Sequence, residues 1–228
     1  MKLIATVGNP TRDTTRYRAP RTERRGYISV HSYEVEGQRH RQEMVERGSA
    51  VVVLPIDAVT RELYMIRQPR WLKPLAETAE GRQFIGHPDG DLAAEAVLDV
   101  PAEQVLVYEC AAGMIDENET QLDAAVRELQ EEIGLIVPPG DFEVVADRRY
   151  TSIGFATERI SHYFAHVRGQ AVMTPPQGDG NEQITVWKME WKEAFELLDQ
   201  GKIESLSSAF LLTALRLRML EERLHLRI

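Results

Sequence analysis

"GMIDENETQLDAAVRELQEEIGL", residues 113–135, sets a glycine ahead of a carboxylate-rich segment with helical periodicity. Leu122, Ala125, Val126, Leu129 and Ile133 recur at three- and four-residue intervals and define one apolar stripe. The stripe predicts a helix across residues 119–134, ended by Gly134. On such a helix Glu128 and Glu132 lie one above the other, with Glu131 on the same side. Like charges stacked this way repel unless something positive offsets them. Arg127 can pair with one of them. A hard divalent cation such as Mg²⁺ or Mn²⁺, which takes oxygen ligands, can offset the rest. Taken alone, "RELQEE" reads as an ordinary solvated helix face. Gly113 permits a tight turn and a close backbone approach at the helix entrance.

Outward from this segment, "VLVYECAAG" (105–113) reads as one apolar strand. Residues 50–56, "AVVVLPI", are the strongest buried-strand candidate, and "ELYMIRQPR" (62–70) reads as its antiparallel neighbour. "FEVVADRRYTS" and "RISHYFAHV" predict two strands around a loop at 152–157, and "ITVWKME" predicts a further short one. Two helices follow, "KEAFELLDQG" and the long amphipathic "SLSSAFLLTALRLRMLEERLHLRI". Strands interleaved with helices imply an α/β or α+β layered domain. The first 26 residues are basic and turn-rich and read as a loosely packed arm, followed by the β-like "YISVHSYEVEG". Residues 71–104 mix Pro and Gly with short helical pieces and read as an insertion or lid-like connection.

The 228 residues suit one domain, or one with a substantial extension, and 43% hydrophobic content supports a real core. A net charge of -9 argues against nucleic acid as main partner. It leaves an anionic small substrate open, because bound cations invert the local field. Cys110 is the only cysteine, so no intrachain disulfide forms and nothing suggests an oxidising compartment. No secretory signal and no 18-residue apolar run appear, so a cytoplasmic protein without a membrane span is expected.

The whole spacing carries more than its parts. Gly113, Glu119, Arg127-Glu128-Leu129, Glu131-Glu132 and Gly134-Leu135 fill every fixed position of the signature that the Nudix hydrolases carry. The chain resembles that family. The resemblance implies an α/β/α sandwich around a mixed sheet, with an N-terminal antiparallel strand extension. It further implies Mg²⁺- or Mn²⁺-assisted cleavage of a nucleoside diphosphate linked to another group. Carried over by position, Glu128, Glu131 and Glu132 look like metal ligands, Glu119 anchors the loop or joins the outer metal shell, and Arg127 orients the glutamates. Gly113 and the carbonyl of Ala112 lie where the family brings backbone against metal. Asp116, Glu117 and Asp123 are left as solvated bystanders.

"AAGMID", "ERGSAVVVLPID", "IRQPR" and "WKEAFELLDQGKIESLSSAFLLTAL" resemble the ADP-ribose pyrophosphatase and nucleoside-diphosphate-sugar hydrolase branch. That branch implies release of a nucleoside monophosphate and a sugar phosphate, and a homodimer built through the N-terminal strands. Residues 1–48 are accordingly the expected dimerisation region and residues 49–228 the hydrolase domain, with the insertion at 71–104. Glu158, in "SIGFATER", stands where the branch places a catalytic or metal-binding glutamate. Ile153 replaces the usual proline there, which touches substrate preference more than hydrolysis. Arg67 and Arg70 fall where the branch has cations near substrate, Arg70 being the diphosphate candidate. Met114 and Ile115 either line the nucleotide pocket or belong to the core, and Trp71 either stacks on a base or roofs the insertion. His162 and His166 are too far apart along a strand to share one ion. Cys110 reads as small apolar filler. Hydrolysis of dinucleoside polyphosphates and a catalytically silent nucleotide sensor are the competing functions.

Overall fold

The computed structural model describes residues 21–25, 28–37, 39–73, 100–168, 172–174 and 183–224. They fall into two compact units, Met1–Ser49 with Tyr150–Arg159, and Ala50–Arg149 with Ile160–Ile228. In the first, β1 (Arg21–Arg25), β2 (Ile28–Tyr33) and β3 (Gln42–Glu46) form a three-stranded antiparallel sheet in that order. Residues 21–25 therefore depart from the arm expected there. Their backbone pairs with β2, Arg21 opposite Ser32 and Arg25 opposite Ile28, through main-chain bonds that any side chains permit. The segment at 150–159 joins this unit because Val45 N donates to Phe155 O at 2.7 Å and Thr157 N to Val45 O at 3.0 Å.

The second unit holds a seven-stranded sheet. Its main path runs β12 (Thr185–Glu190), β5 (Glu62–Pro69), β4 (Ala50–Asp57), β10 (Arg159–His166) and β9 (Phe142–Tyr150). Off this path, β6 (Leu106–Glu109) pairs with β5 and β7 (Ala111–Met114) with β4. A two-stranded ladder joins β8 (Leu135–Ile136) to β11 (Val172–Met173). β4 and β10 run parallel, whereas β4 meets β5 and β7 antiparallel, so the main sheet is mixed. The described α-helices include α1 (Ala102–Val105), α2 (Gln121–Glu128), α3 (Trp191–Asp199) and α4 (Leu206–Leu224).

Strand alternation places the layers. Val51 and Val53 of β4 pack with Ala124, Ala125, Leu129 and Ile133 on one face of the sheet. Val52, Leu54 and Ile56 pack with Ala194, Phe195, Leu211 and Leu212 on the other. Both faces of β4 are thus buried, which is why its sequence is an unbroken apolar run rather than an alternation. Each such side chain contributes about 1.5–3 kcal/mol relative to exposure. The result is the expected α/β/α sandwich. Among the described residues no helix is long and apolar enough to cross a membrane.

Three local expectations give way. Residues 105–113 are not one strand: α1 ends at Val105, β6 and β7 follow, and the break falls at Cys110. There the backbone N–H leaves the ladder and donates to Ser208 Oγ at 2.9 Å, so the chain changes partner from β5 to β4. The helix expected across 119–134 is α-helical only to Glu128 and continues as a π-helical turn, Leu129–Ile133. α4 is apolar on two faces rather than one: Leu211, Leu212 and Leu215 face the core, while Leu206, Phe210, Leu217, Leu220 and Leu224 are exposed. Of the expected insertion, residues 74–99 lie outside the described residues, as do residues 1–20, 26 and 27 of the N-terminal region.

Candidate active site

The signature segment is suspended from the central strand. Met114 pairs with Ala50 and Gly113 with Val51, which seats the loop at the N-terminal end of β4. Thr120 then caps α2, its Oγ1 accepting from Asp123 N at 3.1 Å and donating to Asp123 Oδ2 at 2.6 Å. Asp123, expected to be a bystander, is therefore part of the cap, and Thr120-x-x-Asp123 was the readable sign of it. The π-helical turn ends on Gly134, which adopts φ 83° and donates its N–H to Gln130 O.

Arg127 is the hub of the segment. Its Nε and Nη2 donate to the two oxygens of Glu119 at 2.8 and 2.9 Å. Nη1 donates to Glu128 Oε1 at 2.6 Å and Glu131 Oε2 at 3.1 Å, and Nη2 also reaches Met114 O at 2.9 Å. Glu119 accepts in turn from Asp116 N at 2.9 Å, closing the loop. Bonding to Arg127 holds the Glu119 carboxyl below the usual carboxylate range. Glu119, then Glu128 and Glu131, hold the guanidinium protonated beyond its ordinary value. Glu132, 2% exposed, accepts from Ala112 N at 2.7 Å. Glu128, 8% exposed, presses on Gly113 so closely that any Cβ there would overlap its carboxylate.

Glu119, Glu128, Glu131 and Glu132 are all oxygen donors, the kind hard divalent cations take. Among the described residues no three His, Cys, Asp or Glu side chains converge as a metal cage. Arg127 instead gathers three of the four carboxylates onto itself. The donor chemistry, with the Glu128 carboxylate seated directly against the backbone at Gly113, fits a hard divalent cation. A cavity of about 360 Å³ runs along the outer side of α2 and touches Arg127 and Glu131, but Glu128, Glu132 and Gly113 are not in its lining.

The other expected residues are distributed more widely. Arg67 pairs with Glu103 at 2.5 Å and lies 5.2 Å from the Tyr108 ring centroid, and Arg70 pairs with Glu109 at 2.6 Å. Both expected substrate cations thus have carboxylate partners. Met114 is 36% exposed, Ile115 packs on the core and Trp71 is exposed. Glu158 belongs to the smaller unit, where it pairs with Arg47 at 3.2 Å, while Arg159 lies over Tyr150. Cys110 is fully buried, and burial pushes its thiol up to about 12. His166 bonds Glu143 at 3.0 Å, whereas His162 is buried beside Phe210. One arrangement escaped the sequence entirely. Ser161 Oγ of β10 lies 3.1 Å from Gln121 Oε1 and 3.0 Å from Asp147 Oδ1, its single proton serving one of the two, and accepts from Arg148 N. It ties the start of α2 to β9, and no spacing in the chain announces it.

The loop, the π-terminated helix and the glutamate hub on a mixed-sheet sandwich define a class, and comparison with known proteins agrees. The sequence model of the NUDIX domain matches residues 46–208, and the chain belongs to that family. It is a Nudix pyrophosphohydrolase. It is 31% identical over 210 residues to the ADP-ribose pyrophosphatase of Escherichia coli (strain K12), covering 85% of this chain and 83% of that one. It is 28% identical over 185 residues to the GDP-mannose pyrophosphatase of Cronobacter sakazakii, covering 79% and 80%. In fold it is similar to a solved ADP compounds hydrolase, with a TM-score of 0.66 at 17% identity over 94% of this chain and 98% of the other.

Proposed function

We propose that this enzyme hydrolyses the pyrophosphate bond of ADP-ribose or a related nucleoside diphosphate sugar, releasing a nucleoside monophosphate and a sugar phosphate. The reading is carried by the complete signature segment with Arg127 gathering Glu119, Glu128 and Glu131. The names of the pyrophosphatase relatives favour a sugar on the far side of the diphosphate. Glu128, Glu131 and Glu132, with Glu119 and the Ala112 carbonyl, are assigned to hold Mg²⁺ or Mn²⁺. When bound there, such a cation offsets charge on the pyrophosphate oxygens and acidifies a water.

The remaining work falls to the chain's own groups. Arg127 keeps the carboxylates oriented through its fork of donors. Glu158 is assigned as the base that takes a proton from the attacking water. Arg70, with Arg67, binds the diphosphate by exchanging Glu109 and Glu103 for phosphate oxygens, and Met114 and Gly113 border the nucleotide. We assign residues 1–48 to a homodimer contact, built on the β1–β2–β3 sheet. A cytoplasmic location completes the reading.

Incubation with Mg²⁺ and ADP-ribose is expected to release AMP and ribose 5-phosphate, and EDTA to stop it. A panel including GDP-mannose and dinucleoside polyphosphates, scored by kcat/KM, ranks the substrates. Binding without release from any of them would instead identify a nucleotide sensor.

A further inference from the structure

At the end of β4 opposite the signature loop, a cavity of about 600 Å³ opens between the β4–β5 turn, α3 and α4. Gly113 and Met114 pair with the start of β4, whereas Ile56, near the end of that strand, lines this cavity. At about 3.3 Å per residue, the two regions are about 20 Å apart. The volume lies within the ordinary range for small-ligand pockets.

Its walls are cationic in a chain whose net charge is -9. Arg61, Arg218 and Arg223 face it, with His166 beside them and Glu222 the carboxylate in the lining. Arg218 is fixed, both Nη atoms bonding Glu143 at 2.6–2.7 Å, and its guanidinium lies 4.8 Å from the Phe164 ring centroid. Glu143 also holds His166 at 3.0 Å, which aligns both groups on one wall. Neither Arg61 nor Arg223 has a carboxylate partner among the described residues.

Arg61 is presented by a turn that the fold holds firmly. It adopts φ 57°, an uncommon conformation for a residue with a Cβ. Asp57 Oδ1 accepts from Val59 N and Thr60 N at 2.8 and 3.0 Å, and Trp191 N donates to Arg61 O at 2.9 Å. The Trp191 indole, itself part of the cavity wall, donates to Glu62 O at 2.9 Å. Planar guanidinium forks match the oxygens of phosphate and carboxylate groups, and aliphatic side chains of β4 and α4 offer an apolar wall beside them.

We propose that this cavity is a second ligand site, separate from the hydrolytic one, that binds a small organic anion through Arg61 and Arg223 with its body against the α4 wall. The probes are phenyl phosphate and benzoate, titrated calorimetrically into the full chain without divalent cations. Saturable 1:1 binding is expected, weakening with salt, and the tighter probe identifies the preferred anionic group. Arg223→Glu and Arg61→Asn are each expected to weaken it at least tenfold. Asparagine tolerates the left-handed turn, so that variant removes the cation while keeping the backbone. Glu128→Gln, at the signature segment, is expected to leave affinity unchanged. The assignment is overturned by affinities unaffected in both arginine variants, by loss of binding in Glu128→Gln, or by no binding of either probe.

Discussion

The Glu128 carboxylate occupies the space in which any residue other than glycine at position 113 would place its Cβ. Glu128 is itself held by Arg127, so a methyl group there must evict the carboxylate rather than nudge it. Gly113→Ala is expected to cost only about 1 kcal/mol of stability, since the displaced group is a side-chain end. Turnover is expected to fall by about 100-fold. Thermal denaturation beside steady-state kinetics checks the split, and a variant with native turnover would show that the contact has no bearing on the chemistry.

Arg127 donates to three glutamates and one carbonyl through a planar fork that an ammonium cannot reproduce. Arg127→Lys is expected to lower kcat/KM by about 10- to 100-fold, the scale of lost outer-shell orientation. Glu117→Gln, on the same loop, is expected to change stability by less than about 0.5 kcal/mol and turnover not at all. Equal losses in the two variants would mean that general negative charge, not the hub, is what matters.

For Glu158 the assigned role is proton abstraction, which is typically worth about 10²- to 10⁴-fold. Glu158→Gln should lower kcat on that scale while the Mg²⁺ concentration giving half-maximal rate stays put. The Arg47 pair is lost at the same time, so the melting temperature must be followed alongside. Near-native turnover would remove Glu158 from the mechanism.

His162 supplies a pH dependence. Burial lowers its pKa from 6.5 to about 4. Between those values the unfolded chain takes up a proton that the folded one refuses, so stability falls as pH drops from about 6.5 towards 4. The group contributes no pH dependence above that window. His162→Gln should flatten the melting temperature between pH 7 and pH 5 relative to wild type, and a parallel decline in both proteins would sink the attribution.

The sandwich and the chemistry were legible because both are written locally. The buried run of β4 and the stripe of α2 are short-range patterns, and so is the spacing from Gly113 to Leu135. What the chain conceals is set at long range. The strand break at Cys110 depends on Ser208, and the tether from Gln121 runs through Ser161 to Asp147. The π-helical turn after Glu128 keeps the same apolar residues as a continuous α-helix, so periodicity does not distinguish them. The partners of Arg67 and Arg70 were hidden for the same reason, since Glu103 and Glu109 meet them only once β6 lies beside β5.

The bond from Cys110 to Ser208 closes a separation of 98 residues. It sits at the point where the chain hands the loop from β5 to β4, immediately before Gly113. Non-local closures of that kind come late, because chain entropy must be overcome before the contact rewards it. During synthesis the glutamates are therefore made well before the helix that fixes their approach, and a nascent chain lacking α4 carries the whole signature without the bond that seats it. Seating of the signature loop is in this sense a non-local property, reached only once Ser208 of α4 meets Cys110.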